Sequence, residues 1–207
     1  PPRARKLMTI ASDNCERLIL LVNDLLDLEK MGSGAMKLAL ATTDVACLLE
    51  QAVRANEGFA CAHGVTLRLR PPPAGAHLAR IDADRFHQVI TNLISNAVKY
   101  SPRDKPVEVA LVCRGVVLRI EVRDQGPGIP VEFRCEFFQE FSQADASDAR
   151  AKGGTGLGLF ISKGLIERMG GSVGYETVLG SGTTFFVEVP AVAAPASAIP
   201  AQLQATP

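Results

Sequence analysis

Tryptophan is absent, and aromatic residues make up only 5% of the chain. A protein that reads single-stranded bases needs aromatic stacking platforms, and one that grips a phosphate backbone needs an excess of positive charge. Here 22 Lys and Arg balance 22 Asp and Glu, so the net charge is zero and no nucleic-acid partner is expected. The five cysteines, Cys15, Cys47, Cys61, Cys113 and Cys135, are odd in number and never form a C-x-x-C pair. That pattern argues against a zinc site and a disulfide framework, and a reducing, cytoplasmic setting fits best. No run approaches the roughly 18 unbroken apolar residues of a membrane span, and "PPRARKLMTI" has no signal-peptide profile. Any inner-membrane anchor of a parent protein is expected outside this chain.

What is present is apolar material: 47% of 207 residues, enough for one full domain and a smaller element. Between Leu7 and Met31 the residues Leu7, Ile10, Ala11, Leu18, Leu21, Val22, Leu25 and Leu28 return at three- and four-residue steps, which predicts one long amphipathic helix. Its stripe is followed by the Gly-Ser break "MGSGAM", so the apolar face is expected to meet a helix of a partner or of a segment outside the chain; packing on the main domain is the alternative. "TTDVACLLEQAVRANEGFACAHG" reads as a helix capped by Thr43 or Asp44 and stopped near Gly64. "VTLRLR" alternates as a strand and "PPPAGA" turns. "DADRFHQVITNLISNAVKY" is a second capped helix, ending before Pro102. "VEVALVCRGVVLRIEVRD" is a hairpin about Arg-Gly, "PVEFRCEFF" a third helix, "LGLFISKGLIERMGG" a fourth, and "SVGYETVLGSGTTFFVEVP" a closing hairpin. The Ala/Pro-rich tail from 191 to 207 reads as a disordered linker.

Four stretches carry polar residues or glycines that a plain core does not need. Asn92 and Asn96, four apart, share a helix face with Lys99 and Tyr100 one turn on. That face offers an amide oxygen of the kind magnesium accepts beside nucleotide phosphates; alone, it is equally a solvated helix face. In "DQGPGIP", Asp124 stands at a strand end before Gly126 and Gly128. An ionised carboxylate only accepts hydrogen bonds, which suits an exocyclic amine such as adenine's, although the motif alone is also an ordinary turn. In "KGGTGLGLFISK", Gly153, Gly154, Gly156 and Gly158 can turn successive backbone N–H groups toward an anion at the start of a helix. The Gly-Lys-Ser/Thr ending of a P-loop is missing. "GSGTTF" reads as a hairpin turn or as a supporting glycine box, with the turn favoured.

Taken in order, "NLISNAVKY", "DQGPGIP", "FFQEFSQ", "GGTGLGL" and "GSGTTF" resemble the N box, the glycine boxes and the F box of sensor histidine kinases, members of the GHKL (Bergerat) ATPase superfamily. "ERLILLVNDLLDLEKM" is similar to the second helix of that family's dimerisation and phosphotransfer domain. The resemblance implies an α/β (α+β) fold, a two-layer α/β sandwich whose mixed sheet carries helices on one face, preceded by a long dimerisation helix. It divides the chain into a partial dimerisation helix (1–32), a catalytic ATP-binding domain (33–190) and the tail (191–207). It implies Mg-ATP as cofactor, with Asn96 as magnesium ligand, Asn92 as its polar partner, Lys99 and Tyr100 near the phosphates, and Asn92, Asn96 and Lys99 as the catalytic set. Asp124 would accept from the adenine amine, Gly126 and Gly128 would line the base pocket, and Ile129 and Thr183 would also bind ATP. Phe141, Lys152, Gly153, Gly154, Thr155, Gly156, Leu157, Gly158 and Leu159 would complete the ATP site, and "SQADASDARAK" would be its lid.

Departures from the pattern are informative as well. Hydrolytic relatives such as gyrase and chaperone ATPases carry a glutamate base where Asn92 stands, and an amide cannot take up a proton, so phosphoryl transfer is favoured over hydrolysis. In the F box, Gln139-Glu140 replaces the usual Glu-Pro and Cys135-Glu136 a basic-apolar pair. The family's His-Glu-x-x-x-Pro phosphoacceptor box is not found, and His63, His77 and His87 read as loop or helix-surface residues. The chain therefore reads as part of a dimeric protein-histidine kinase. Its γ-phosphate acceptor would lie in the phosphotransfer domain, with a response-regulator receiver domain as downstream partner. The alternatives are a degenerate nucleotide- or partner-binding module and an ATP-hydrolysing member of the superfamily.

Overall fold

The computed structural model describes residues 2–133, 138 and 156–192. Helix α1 runs Pro2–Gly32, as the 3.6-residue periodicity predicts. Strand β1 (Ala41–Asp44) leads directly into helix α2 (Val45–Ala62). Asp44 caps that helix, its Oδ1 accepting from Ala46 N at 2.9 Å, a bond of a kind worth about 1 kcal/mol. Strands β2 (Thr66–Leu69) and β3 (Leu78–Ile81) precede helix α3 (Ala83–Tyr100). Asp82 caps α3 with one oxygen, accepting from Arg85 N at 3.1 Å, and with the other takes Ala39 N at 2.8 Å. One side chain thus starts a helix and ties down the segment behind α1. At the far end Ser101 is extended, as the following proline requires.

Strands β4 (Pro106–Arg114) and β5 (Val117–Arg123) form the expected hairpin, with the turn at Gly115–Val116 rather than Arg-Gly. Beyond β5 comes a single 3-10 turn, Val131–Phe133, where the sequence predicts a full helix; the rest of that segment lies outside the described residues. Helix α4 (Gly158–Arg168) and the hairpin β6 (Ser172–Val178) and β7 (Gly182–Pro190) close the domain.

The main sheet has the order β2-β4-β5-β7-β6, with β2 parallel to β4 and every other pair antiparallel, so it is mixed. Side chains alternate across it with period two. Val107, Val109, Leu118, Ile120, Val122, Phe185, Val187 and Val189 are buried against Phe86, Val89, Ile90, Leu93 and Ile94 of α3 and Leu165 and Ile166 of α4. The opposite face carries no helix among the described residues. There Arg119 lies over the Phe186 ring and bonds Glu121, Glu176 and Glu188, which satisfies a guanidinium that is almost fully buried. The expected two-layer sandwich with helices on one face is the architecture found.

Two short strands were not legible. β1 and β3 pair antiparallel, Ala41 opposite Ile81, as a separate two-stranded sheet. The chain leaving β7 joins it, since Ala191 bridges to Ala79 and Val192 N donates to Leu78 O at 2.7 Å. The expected tail therefore begins with two fixed residues, and 193–207 lie outside the described residues.

α1 divides into two parts. Its last turns dock: Asp27, buried, accepts from Arg85 Nη1 at 2.9 Å and from Gln88 Nε2 at 3.0 Å on α3, and Arg168 Nη2 of α4 donates to Met31 O at 2.6 Å. Leu28 and Met31 pack on the core. Farther up, Leu18, Ile19, Leu20, Leu21, Val22, Leu25 and Leu26 are exposed, Leu25 by 61%. Packing on the main domain thus accounts for the end of the stripe and not for its middle.

Candidate nucleotide site

The site forms where α3, the loop after β5, the start of α4 and the β6–β7 hairpin meet. Asp124 follows directly after β5 and is only 3% exposed. Its Oδ1 accepts from Gly126 N at 2.8 Å and from Thr183 N at 3.1 Å, while its own N–H donates to Thr183 O at 2.9 Å. Both side-chain bonds fall on one oxygen, so Oδ2 is the oxygen left to accept from a ligand. Burial pushes the Asp124 carboxyl above the usual aspartate range, and the N–H bonds from Gly126 and Thr183 pull in the opposite direction. A group held in that balance responds to any ligand that brings a hydrogen-bond donor.

The glycines here are required by close approach. A Cβ on Gly126 would stand 2.6 Å from Tyr100 O, the end of α3, and one on Gly182 would stand 2.2 Å from Asp124 O. Gly128 combines a φ of +76° with a neighbour, Val178 O, 2.5 Å from any Cβ, so neither its conformation nor its space admits a side chain. Gly180 N donates to Pro127 O at 2.7 Å, and Ile129 N donates to Thr177 Oγ1 at 2.9 Å. The Asp124 loop is thereby sewn to the β6–β7 hairpin. "GSGTTF" is indeed the hairpin turn, and its Thr183 is at the same time the register partner of Thr177 beside Asp124.

On α3, Asn92, Asn96 and Lys99 are half-buried on adjoining turns, and Tyr100 is exposed at the helix end. Asn92 is tied to α4: its Nδ2 donates to the buried Ser162 Oγ at 3.0 Å, and a Cβ on Gly158 would lie 2.5 Å from its Oδ1. Gly158 is thus the residue whose missing side chain lets the asparagine face reach the α4 N-terminus. That end has no side-chain cap, since Leu157 is its N-cap and makes no capping bond. The positive end of the helix dipole lies beside Asn92, an arrangement that attracts phosphate. Leu157 and Ile129 are buried in the core, Leu159 packs against it, and Gly156 stands just ahead of the helix. Asn96 makes no side-chain hydrogen bond to other described residues, so its amide oxygen fits a magnesium ion that draws its remaining ligands from phosphate and water. No cluster of three or more His, Cys, Asp or Glu that could hold a metal is found among the described residues.

Phe141, Lys152, Gly153, Gly154 and Thr155, the F-box changes and the expected lid lie outside the described residues. Two residues of the site were missed. Thr177 reads as a strand former and Ser162 as a small helix residue; the available signals were the register opposite Thr183 and the four-residue step from Gly158, one helix face. His77, expected on a loop surface, is buried ahead of β3, and its Nε2 has no hydrogen-bond partner.

A strand-end carboxylate aimed past glycines, an asparagine face and an uncapped helix N-terminus on one side of a mixed sheet define a nucleotide-binding sandwich of the ATPase kind. The chain belongs to the histidine kinase-, DNA gyrase B- and HSP90-like ATPase family, whose model matches residues 81–193. Its relatives point to the kinase branch. It is 34% identical over 189 residues to the sensor protein kinase WalK of Staphylococcus saprophyticus, covering 90% of this chain and 30% of that one. WalK of Staphylococcus aureus is 33% identical over 189 residues, covering 90% of this chain and 45% of the relative. The chain thus spans less than half the length of these relatives. Among solved structures, full-length ShkA in complex with AMPPNP matches with a TM-score of 0.77 and 32% identity, over 92% of this chain and 40% of that one. The histidine kinase AdeS of Acinetobacter baumannii shares the fold, with a TM-score of 0.70 at 23% identity over 86% of this chain and 81% of that one.

Proposed function

We propose that the chain binds Mg-ATP and presents its γ-phosphate to a phosphoacceptor histidine outside the described domain, for relay to a response regulator. The observation that carries this reading is the junction of Asn92 with Gly158, which sets a half-buried amide face against an uncapped helix N-terminus. Asp124 Oδ2 accepts from the adenine amine. Asn96 holds magnesium through its amide oxygen, and the ion, when bound, neutralises phosphate charge. Lys99 and the α4 N-terminus receive the phosphates. Phosphoryl transfer asks mainly for positioning and charge stabilisation, which these groups provide. Asn92, an amide, cannot act as a base toward water, which supports transfer over hydrolysis.

The three histidines suit other roles. His63 stacks on Phe59 at 4.3 Å between ring centroids, and His77 is buried. His87 precedes Asn92 by five residues, about 140° round the helix, on a different face. The exposed leucines of α1 support pairing with a second copy, as a dimerisation helix. No helix among the described residues is long and apolar enough to cross a membrane.

Incubation with radiolabelled ATP and magnesium tests the reading. The chain alone is expected to bind nucleotide without acquiring acid-labile label; its full-length parent is expected to acquire it, and Asn96→Ala in that parent to lose it. Acid-labile label on the isolated chain, or failure of the chain to bind ATP, overturns the proposal.

A further inference from the structure

Ser162 is 2% exposed on α4, and its hydroxyl has one hydrogen-bond partner among the described residues, the side chain of Asn92. A serine inside a helix commonly turns its hydroxyl back to the carbonyl four residues earlier. This one reaches across to α3 instead, accepting from Asn92 Nδ2 at 3.0 Å. Gly158 comes four residues before it, on the same face of the helix. The Asn92 amide lies against that face: a Cβ on Gly158 would stand 2.5 Å from Oδ1, 2.9 Å from Cγ and 3.0 Å from Nδ2. Gly158 supplies the room, and Ser162 the one hydrogen bond that the Asn92 side chain makes to described residues.

The two ends of an amide are alike in size and opposite in chemistry: the oxygen accepts and the nitrogen donates. Space alone therefore cannot choose between them, and the Ser162 bond does. It holds the nitrogen one turn inside α4 and leaves the oxygen at the first residue of the helix, with no partner among the described residues. At a helix end that attracts phosphate, this oxygen is a poor neighbour for phosphate oxygens, which are acceptors as well. It suits the protons of water held by magnesium, an ion that keeps several waters when it binds beside nucleotide phosphates. A reversed amide would turn its donors to the phosphates directly and need no metal.

We infer that Ser162, which touches no ligand itself, is a positioning residue: it fixes the Asn92 amide with its oxygen toward the phosphate end of α4 and so makes nucleotide affinity depend on magnesium. This rests on the Mg-ATP reading above and adds to it the residue that decides which end of Asn92 faces the ligand.

Calorimetric titration with ATP, once in magnesium and once in EDTA, gives the gain in affinity that magnesium brings. It is measured for the wild type, Ser162→Ala, Ser162→Thr, Asn92→Ala and the double variant of Ser162→Ala with Asn92→Ala. The wild type should gain from magnesium, and Ser162→Ala should cut that gain about tenfold as the amide becomes free to reverse, the loss expected for one polar contact. Ser162→Thr keeps the hydroxyl and should restore the gain. In the Asn92→Ala background Ser162→Ala should change nothing further, because its effect passes through the amide. Ser162→Cys, whose thiol accepts weakly, stands in if the alanine variant does not fold. Loss of affinity equal in magnesium and in EDTA marks a merely structural role and overturns the inference. So does a folded threonine variant no better than alanine, or a further loss in the double variant. A wild type that does not bind ATP, or binds it equally with and without magnesium, overturns the Mg-ATP reading as well, whereas a wild-type gain left unchanged by Ser162→Ala overturns this inference alone.

Discussion

Asp124→Asn separates what Asp124 does for the fold from what it does for a ligand. An asparagine can keep its carbonyl oxygen where Oδ1 now accepts from Gly126 N and Thr183 N, so both internal bonds survive. Its amide nitrogen then replaces Oδ2 and turns a donor toward the adenine amine. The loss is that of a hydrogen bond to a charged group, about 1.5–3 kcal/mol, or roughly 10- to 150-fold in affinity. Stability should move the other way. Burial raises the Asp124 pKa in the folded state, so the ionised carboxylate weighs against folding at neutral pH and the cost disappears as pH falls below the raised value. The variant is therefore expected to unfold at a temperature at or above that of the wild type at pH 7. Wild-type affinity should be full above the raised pKa and fall as the carboxyl protonates, starting at a higher pH than an ordinary aspartate of about 3.9 would give; Asp124→Asn should lack that titration. Fluorescent-nucleotide titrations across pH, with thermal unfolding of the same samples, measure all three. Equal affinities in two well-folded proteins would refute the placement of the base at Asp124.

Two further outcomes follow from packing. Gly158→Ala brings a Cβ to 2.5 Å from Asn92 Oδ1, so Asn92 must swing away and give up its bond to Ser162; a stability loss of about 1–3 kcal/mol with weaker ATP binding is expected by chemical unfolding and titration, and an unchanged protein would contradict the junction. On the reading of α1 as a dimerisation helix, replacing Leu18, Leu21 and Leu25 together by glutamine is expected to shift light scattering from dimer to monomer while nucleotide binding persists, because these side chains are exposed.

The long elements were legible because their periodicity is sustained: α1, α2, α3 and α4 show helical spacing, and β4 to β7 alternate. β1 and β3 were not, since four residues give too little alternation and their pairing, Ala41 with Ile81, spans a whole helix and strand. Of the helix expected from "PVEFRCEFF" only the 3-10 turn Val131–Phe133 falls in the continuously described part, and most of the rest lies outside the described residues. Within the site, Asp124 and the asparagine face could be read because polar residues stand where a core does not need them. Thr177 and Ser162 could not, because their importance lies in the residue across the strand or helix, and that neighbour is a product of the fold.

The Asp27 contact gives α3 a mechanical character. Arg85 and Gln88 in the first turns of α3 hold Asp27 of α1, and Asn92, Asn96 and Lys99 follow on the same unbroken helix. Eleven residues separate Arg85 from Asn96, about 16 Å of rod at 1.5 Å per residue. A torque on α1 that leaves the Asp27 bonds intact is delivered along this rod to the nucleotide face. A torque that breaks them strands a buried carboxylate without its cation, which is costly. The angle at which the domain meets α1 is thus set, through the Asp27 bonds, at the same helix that carries Asn92 and Asn96.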